Sequence, residues 1–220
     1  MPTLQNVDTI LFDFDGVVIQ SIEDHYRSWN QAFARFGITV QWNDFAVLEG
    51  QSLYTIASQL CKLYNVPHDE HRKIAAEKNA LYLTTATVRF YDDIFSALEY
   101  LRTQKKMIGL VTGAHRDRFE QTVDNDFKNK FDVIITADDV THTKPDPEPF
   151  LSAAAKLKKL PANCLVIENA PLGVEAAKNA GMLCYALTTT LPEEFLSKAD
   201  WIGKNVTDVI HLMKTCMSLT

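Results

Sequence analysis

The distribution of apolar positions divides the chain into three stretches, and the first is a short run that carries two acids. Residues 10–17 are apolar except for Asp13, Asp15 and Gly16. Such a run beside a turn-forming glycine is typical of a buried strand. In an extended chain, Asp13 and Asp15 project to the same side with their backbones about 6.6 Å apart. We therefore predict a buried strand that presents two carboxylates to one site, where a cation would relieve their repulsion.

The second stretch, up to about residue 87, has the spacing of helices and contains no strand-like run. Ser21 is the predicted N-cap of the first helix, with Asp24 three residues later, and Gly37 is its predicted end. Helical spacing returns over 53–64 and 71–84. This stretch is therefore predicted to be a block of helices.

From Val88 onward, apolar strands alternate with helices, which is the pattern of a parallel sheet. The candidate strands are 107–111, 133–135, 165–167 and 183–187. The helices between them are predicted to begin near Asp93, Ala114, Pro147 and Pro171, with Gly181 closing the last of these and a final helix over 206–217. The sequence predicts an α/β fold whose core domain comprises 1–19 and 88–220, with 20–87 inserted as a helical domain.

Composition narrows the class of protein. A chain of 220 residues that is 46% hydrophobic can bury a large core, and a net charge of -6 argues against non-specific nucleic-acid binding. Neither a leader-like N-terminus nor an apolar run of ~18 residues is present, so we expect no membrane partner and a cytoplasmic location. No exposed apolar stripe stands out, and a monomer is expected. The cysteines, predicted to be free buried thiols, are Cys61, Cys164, Cys184 and Cys216.

Polar side chains follow each predicted strand where ligands bind in open parallel sheets, at the carboxyl ends. Together they offer a carboxylate nucleophile, a second acid, a hydroxyl, a lysine and oxygen ligands for Mg²⁺, which suits phosphoryl transfer. Taken singly, each has an ordinary structural explanation as a strand end, helix cap or exposed loop charge. Their joint occurrence in order favours a site, and no other phosphate-binding motif competes. The residues are Asp13, Asp15, Thr112, Gly113, Lys144, Glu168 and Asn169.

These residues fall in four ordered motifs, DFDGV at 13–17, TG at 112–113, KPDP at 144–147 and ENAPLGVEAA at 168–177. The chain thereby resembles the haloacid dehalogenase superfamily, in the branch that includes β-phosphoglucomutase and phosphoglycolate phosphatases. The resemblance implies a Rossmann-like core and a cap that closes over the site.

The resemblance also implies roles for the motif residues. Asp13 would attack phosphorus and become an aspartyl phosphate, while Asp15 would protonate the leaving oxygen and later activate water. Thr112 would hold phosphoryl oxygens, and Lys144 would balance the negative charge.

Mg²⁺ would, by the same resemblance, be held by Asp13, the Asp15 carbonyl and the pair Glu168 and Asn169. Many relatives carry two acids in this last motif, whereas here the second is Asn169, which brings no charge. We therefore expect weaker metal binding, or a greater contribution of Glu168 to metal binding.

The resemblance to β-phosphoglucomutase extends to predicted substrate and cap positions at Ser21, His25, Gly50, Ser52 and Lys78, and to Trp29. It breaks in the loop around Gly50, where the mutases carry cations and this chain has Glu49 and Leu53. A bisphosphate gripped at both ends needs cationic cap residues. We therefore expect a phosphatase acting on a small, sugar-type phosphomonoester rather than a mutase.

Two alternatives stay open at this point, a β-phosphoglucomutase-type isomerase and a non-catalytic phosphate-binding relative, the latter because of Asn169.

A dehalogenase is disfavoured, since that chemistry lacks an acid at the place of Asp15. A phosphonate hydrolase would need a cap lysine of lowered pKa. Lys78 is the candidate, but its neighbour Glu77 gives no reason to expect such a shift. A receiver domain would lack the helical insertion.

Overall fold

The computed structural model describes residues 4–217, and side chains as far as residue 215. Its sheet has six parallel strands in the order β3-β2-β1-β4-β5-β6. The strands are β1 (Thr9–Phe12), β2 (Met107–Val111), β3 (Val133–Ile135), β4 (Cys164–Glu168), β5 (Leu183–Leu187) and β6 (Trp201–Gly203). This confirms the predicted α/β fold with a Rossmann-like parallel sheet, and β1 lies at its centre.

Within residues 4–217 there are ten α-helices. Five lie between β1 and β2, and the first four of these pack on one another: α1 (Ile22–Phe33), α2 (Trp42–Ala46), α3 (Leu53–Leu63) and α4 (His71–Thr85). The others are α5 (Ile94–Thr103), α6 (Arg116–Thr122), α7 (Asn125–Lys128), α8 (Glu148–Lys156), α9 (Pro171–Asn179) and α10 (Val206–Met217).

Strands β1, β2, β4 and β5 are buried on both faces of the sheet because nearly all of their residues are apolar. Successive side chains of a strand point to opposite faces. Ile10 and Phe12 accordingly join one apolar cluster with Leu98 of α5, whereas Leu11 joins the other with Phe150 of α8. These two layers hold the carboxyl ends of β1, β2 and β4 in fixed register, which positions the polar residues that follow them.

Helices α1 to α4 have an apolar cluster of their own, which includes Trp29 and Phe33. Their loop at Gly50 and Gln51 reaches the sheet so closely that a Cβ atom on Gly113 would lie 2.6 Å from both loop carbonyl oxygens. The helices therefore cover the carboxyl edge of the sheet.

The structure corrects three predictions about element ends. β1 stops at Phe12, and the chain then turns, with Gly16 at φ +85°. Ser21 stands at the N-cap of α1, but its hydroxyl donates to Asp15 Oδ1 at 2.7 Å instead of capping the helix. Pro147 precedes the first turn of α8 rather than lying in it. In each case a turn or a tertiary hydrogen bond overrides the local signal.

The remaining predicted elements agree with the structure, which also contains α2, α7 and β6, elements that the sequence pattern missed. Cys61, Cys164 and Cys184 are free and buried, as predicted, and the side chain of Cys216 lies outside the described residues. Over the part of the chain that the structure describes, none of the helices has the length and apolar character needed to span a bilayer.

Candidate active site

Asp13 directly follows β1, and its backbone N–H continues the ladder to Ile167 at 2.9 Å. Its carboxylate accepts a hydrogen bond from Lys144 Nζ at 2.5 Å. The same ammonium donates to Glu168 Oε1 at 2.7 Å and to the Val111 carbonyl at 3.3 Å. One lysine thus joins two carboxylates that follow neighbouring strands, and all three side chains are buried.

Two buried carboxylates against one ammonium leave an excess of negative charge. Burial, with Glu168 adding to it, raises the pKa of Asp13 well above its usual value even though Lys144 works in the opposite direction. Burial lowers the pKa of Lys144, but Asp13 and Glu168 outweigh that effect and raise it. The cluster of Asp13, Glu168 and Lys144 would therefore be stabilised by a further cation.

Asp15 is held by a separate network. Arg118 Nη2 donates to Asp15 Oδ2 at 2.5 Å, and Nη1 donates to Oδ1 at 3.3 Å. Ser21 and His25 Nε2 also contact Oδ1, at 2.7 and 3.0 Å. Lys78 Nζ lies 2.6 Å from the other ring nitrogen of His25. Residues of α1, α4 and α6 thus converge on one carboxylate.

The charges of this network fix the protonation states. Burial by itself would raise the pKa of Asp15, but Arg118 and His25 hold it well below its usual value. Burial and the neighbouring Lys78 lower the pKa of His25 to about 3. A neutral imidazole that accepts from Lys78 at Nδ1 carries its proton on Nε2 and donates it to Asp15. Asp15 is therefore an ionised acceptor in this arrangement.

The second and fourth predicted motifs lie beside these carboxylates. The buried Thr112 follows β2, and its hydroxyl accepts from the Ala114 N–H at 3.1 Å, which leaves its own proton free for an acceptor. Asn169 donates through Nδ2 to Thr190 at 2.6 Å, so its amide oxygen is the atom available as a ligand. Glu168 Oε2 accepts from the N–H groups of Asn169 and Ala170 at 2.7 and 2.9 Å.

A cavity of about 620 Å³ lies between the sheet edge and the helices α1 to α4. Of the predicted site residues, it is lined by Asp13, Asp15, His25, Gly50, Lys78 and Gly113. Trp29, Glu49 and Gln51 line the wall on the helical side, and His115, Arg116 and Arg118 line the wall at α6. Both carboxylates of the first motif are therefore open to a ligand of small-molecule size.

The sequence profile of the haloacid dehalogenase-like hydrolases matches residues 10–187. The chain belongs to this family. It is 33% identical over 201 residues to validoxylamine A 7'-phosphate phosphatase of Streptomyces hygroscopicus subsp. limoneus, covering 90% of this chain and 94% of that one. It is 27% identical over 179 residues to fructose-1-phosphate phosphatase of Escherichia coli, covering 79% and 92%.

Among solved structures, a Bacteroides vulgatus protein with a provisional assignment as a β-phosphoglucomutase superposes with a TM-score of 0.84. The two chains are 27% identical, and the match covers 96% of this chain and 89% of that one. The family and these relatives make the chain an enzyme of the phosphatase type.

Not every residue predicted for the family site reaches the cavity. Ser52 is the N-cap of α3, where its hydroxyl accepts from the Thr55 N–H at 3.3 Å. Its backbone N–H donates to Thr143 at 3.4 Å, so Ser52 joins the cap loop to the sheet edge. Thr112, Lys144, Glu168 and Asn169 stand behind the cavity wall, around the two aspartates, and Ser21 supports Asp15.

Sequence reasoning missed Arg118 as a site residue. It lies on α6, six positions beyond Thr112, and is 7% exposed. Its guanidinium also stands 5.4 Å from the ring centre of Tyr82, which stacks on His25. The signal was available, because helices that follow sheet strands begin at the ligand-binding edge. The sequence alone did not indicate which side chain of α6 turns inward.

The neighbouring Glu77 is not among the groups that shift the pKa of Lys78, but the pKa is lowered from elsewhere. Burial, followed by Arg118 of α6, lowers it to about 7, although Glu49 and Asp15 act in the opposite direction. The ammonium also lies 2.6 Å from His25 and 5.3 Å from the centre of the Trp29 ring.

Among the described residues, one other group of three potential metal-ligating side chains has its ligand atoms within 4.8 Å of each other: His142, Asp146 and Glu148. These side chains are exposed or half-buried and are engaged by the loop itself. Glu148 accepts from the N–H groups of Thr141 and His142, both at 2.8 Å. Hydrogen bonding within the loop explains this group.

Proposed function

We propose that this hydrolase is a Mg²⁺-dependent phosphomonoesterase that acts on a small, sugar-type phosphate through an aspartyl phosphate on Asp13. The observation that carries the proposal is the placement of Asp13 at the floor of the cavity, bonded to Lys144 through one carboxylate oxygen. The substrate class follows the two phosphatase relatives, whose names specify validoxylamine A 7'-phosphate and fructose 1-phosphate.

In the first step, a carboxylate oxygen of Asp13 attacks phosphorus and the bond to the leaving oxygen breaks. Lys144 opposes the rise in the pKa of Asp13 that burial causes, and so favours the ionised form that a nucleophile requires. The Thr112 hydroxyl, already an acceptor from the Ala114 N–H, donates its proton to a phosphoryl oxygen. These groups act on charge that develops at a buried site, where electrostatic stabilisation is strong.

Asp15 supplies and removes the proton. It protonates the leaving oxygen in the first step, then accepts a proton from the water that attacks the aspartyl phosphate, releasing phosphate and regenerating Asp13. The bonds from Arg118 and His25 favour the ionised form, which suits the second step. Because Asp15 is ionised in the structure, it must take up a proton from solvent before the first step, and losing part of its contact with Arg118 on substrate entry would raise its pKa and permit this.

The donor set fits Mg²⁺, because it consists of oxygen atoms and carries an excess of negative charge at Asp13 and Glu168. Asp13, the Asp15 carbonyl and the Asn169 amide oxygen would hold the ion. Glu168 contributes through Lys144 and the N–H groups of the last motif, since both of its oxygens are already engaged there. When bound, the ion would neutralise phosphoryl oxygens and orient the phosphate towards Asp13.

We also propose that 20–87 forms a cap domain and that 1–19 with 88–220 forms the core. The connecting segments lie side by side, with the Gln20 N–H donating to the Arg89 carbonyl at 2.7 Å. Helices α1 to α4 share an apolar cluster, which supports treating them as one unit.

The test is phosphate release from a panel of sugar phosphates and other small phosphomonoesters, with Mg²⁺ and with EDTA. Wild type should release phosphate only with the metal, and Asp13→Asn should lose at least ~10³-fold in kcat/KM. Conversion of β-glucose 1-phosphate to glucose 6-phosphate in the presence of a bisphosphate primer, without net release, would instead identify a mutase. Absence of both activities would contradict the proposal and favour a binding protein.

A further inference from the structure

The amide of Asn169 is confined at its nitrogen end by two neighbours. Nδ2 donates to the hydroxyl oxygen of Thr190, which lies three residues beyond the end of β5, at 2.6 Å. A Cβ atom added to Gly16 would lie 2.1 Å from the same nitrogen, so only a glycine in the first motif leaves room for it. Asn169 and Thr190 are both buried. The amide nitrogen therefore lies in a closed space between the first motif and the segment after β5.

The segment that carries Thr190 is anchored on both sides of that residue. The hydroxyl of Thr189 donates to the Gly16 carbonyl at 2.6 Å. Leu191 is buried and packs in the apolar cluster of α1 to α4. The Thr190 hydroxyl is thus held in place by contacts of its two chain neighbours with other elements. A partner that is already ordered can orient a side chain without a further loss of conformational entropy.

An amide side chain, unlike a carboxylate, must be turned in one direction to bind a cation. An ionised carboxylate has two equivalent oxygen atoms, whereas an amide has one acceptor oxygen and an NH₂ group whose hydrogens repel a cation. Mg²⁺ takes oxygen ligands, so only one of the two orientations of the amide can serve it. The amide of Asn169 therefore requires a partner that keeps its nitrogen away from the ion.

Thr190 is such a partner, because its hydroxyl oxygen accepts the hydrogen bond from Nδ2. With the nitrogen bound on that side, the amide oxygen lies at the other end of the planar group. Groups that orient a metal ligand from just outside the coordination shell commonly matter for affinity, and their loss lowers it about 10–100-fold. A hydroxyl can also donate, so the same threonine would serve a carboxylate equally well.

We propose that Thr190 is a positioning residue for metal binding, whose hydroxyl holds the amide of Asn169 with its oxygen turned towards Mg²⁺. The inference rests on the proposed function for the presence of Mg²⁺ at Asp13 and Asn169. It adds the residue through which this chain keeps an oxygen ligand available at a position where many relatives carry an acid.

Calorimetric titration with Mg²⁺ alone measures the role of Thr190 without turnover. Thr190→Ala removes the hydroxyl and should weaken Mg²⁺ binding about tenfold. Thr190→Ser keeps the hydroxyl and should bind Mg²⁺ as wild type does. Thr188→Ala is the matched control, because the Thr188 hydroxyl donates to the Gly203 carbonyl at 3.3 Å. It should leave the affinity for Mg²⁺ unchanged.

A double-mutant cycle with Asn169→Asp tests whether Thr190 acts through the orientation of the amide. An aspartate has no nitrogen that could turn towards the ion, so it depends less on the hydroxyl. Asn169→Asp alone should bind Mg²⁺ more tightly than wild type, and Thr190→Ala should then weaken binding no more than about threefold. Equal losses from Thr190→Ala in the two backgrounds would overturn the positioning role.

The outcomes separate this inference from the proposed function. Equal Mg²⁺ affinity in wild type and Thr190→Ala would overturn the role of Thr190, and phosphate release by wild type would leave the phosphatase proposal standing. A loss of affinity that Thr190→Ser restores, without phosphate release from any ester, would support Thr190 and contradict the phosphatase proposal. A wild type that binds no Mg²⁺ would overturn the inference. If Thr190→Ala fails to fold, Thr190→Val replaces it in the comparison, since valine fills the volume of threonine.

Discussion

At the scale of single residues, the site consists of buried charges that share their partners. Lys144 contacts two carboxylates, and Asp15 accepts from Arg118, His25 and Ser21. Removing one member of such a group leaves another buried and under-compensated, which costs several kcal/mol for a fully buried pair. Substitutions here therefore affect stability as well as chemistry, and a useful variant keeps the shape of the side chain.

Glu49→Gln should make the protein more stable than wild type by an amount that grows as the pH rises from about 5 to 8. Burial, followed by Asp15, raises the pKa of Glu49 from 4.5 to about 8, so the folded state takes up a proton that the unfolded state has released. This destabilisation is absent at pH values below the pKa of Glu49 in the unfolded state, and it reaches its full size above the pKa of Glu49 in the folded state. We expect a gain of up to about 4 kcal/mol at pH 8.

Chemical denaturation at pH 5 and pH 8 measures this difference. The charged groups that act on Glu49 come from four elements and are Asp15, Lys78, Arg118 and Glu168. A stability difference that stays constant or shrinks as the pH rises would contradict the raised pKa. Glu77→Gln serves as control, since Glu77 lies on α4 and pairs with Arg35 at 3.6 Å, and it should show no such trend.

At the scale of elements, the site depends on short connections at the carboxyl ends of three strands and on one close approach by the cap loop. Gly113 follows β2 and packs against the carbonyls of Gly50 and Gln51. No other residue type leaves room there, because an added Cβ atom would meet two backbone oxygens that have little freedom to move.

Gly113→Ala should therefore push the loop carrying Gly50 away from the sheet. We expect a loss of about 1–3 kcal/mol in stability and roughly a tenfold or greater fall in kcat/KM, since the cavity wall moves with the loop. Gly37→Ala is the matched control, because Gly37 has φ +68° and open space around its Cβ position. It should cost about 1 kcal/mol of stability from backbone strain alone. Equal activity in the two variants would contradict the close-approach explanation.

The sequence was sufficient to predict the helices and strands that have a regular apolar pattern. It was insufficient where contacts with other elements determine the local structure. The runs at β1, β2, β4 and β5 were recognisable because nearly all of their residues are apolar. β6 escaped because it is three residues long and only partly buried. Ser21 has the sequence of a helix cap, yet Asp15 competes for its hydroxyl. Arg118 carries no local sign of its role, since its partners come from β1, α1 and α4.

The same contrast holds for the candidate site. Asp13, Asp15, Thr112 and Lys144 were identifiable because they follow strands whose ends must meet at one edge of the sheet. The pairing of Lys144 with Glu168 and the pKa of Lys78 depend on distances between elements, which one sequence does not contain.

At the scale of the whole molecule, α1 to α4 lie against the edge of the sheet and enclose the cavity. The contacts that hold them there include hydrogen bonds from Ser21 and His25 to Asp15 and from the Ser52 N–H to Thr143. Leu191, from outside the helical block, also packs in the apolar cluster of these helices. The connectors also touch at the bridge between Ile19 and Phe90. This arrangement suits motion of the helices as a unit about the segments near Gln20 and Thr87.

Small-angle scattering should detect that motion. Without ligand, the profile should indicate a more extended average shape than the structure described here, because the cap opens. With Mg²⁺ and a phosphate analogue, it should approach the profile calculated from the structure. Profiles that are identical with and without these ligands would contradict cap movement.

The central claim is that Asp13 becomes covalently phosphorylated, and acid quenching during turnover followed by peptide mass spectrometry tests it most directly. With a substrate whose leaving oxygen needs no proton, such as p-nitrophenyl phosphate, Asp15→Asn should slow only the release of the phosphoryl group, because the group that activates water is lost, and should make the intermediate accumulate. The account predicts a phosphoryl group on the peptide carrying Asp13 in this variant, and none when Asp13 is replaced by Asn as well. Phosphorylation of a different residue, or rapid hydrolysis by the Asp13→Asn variant, would contradict it.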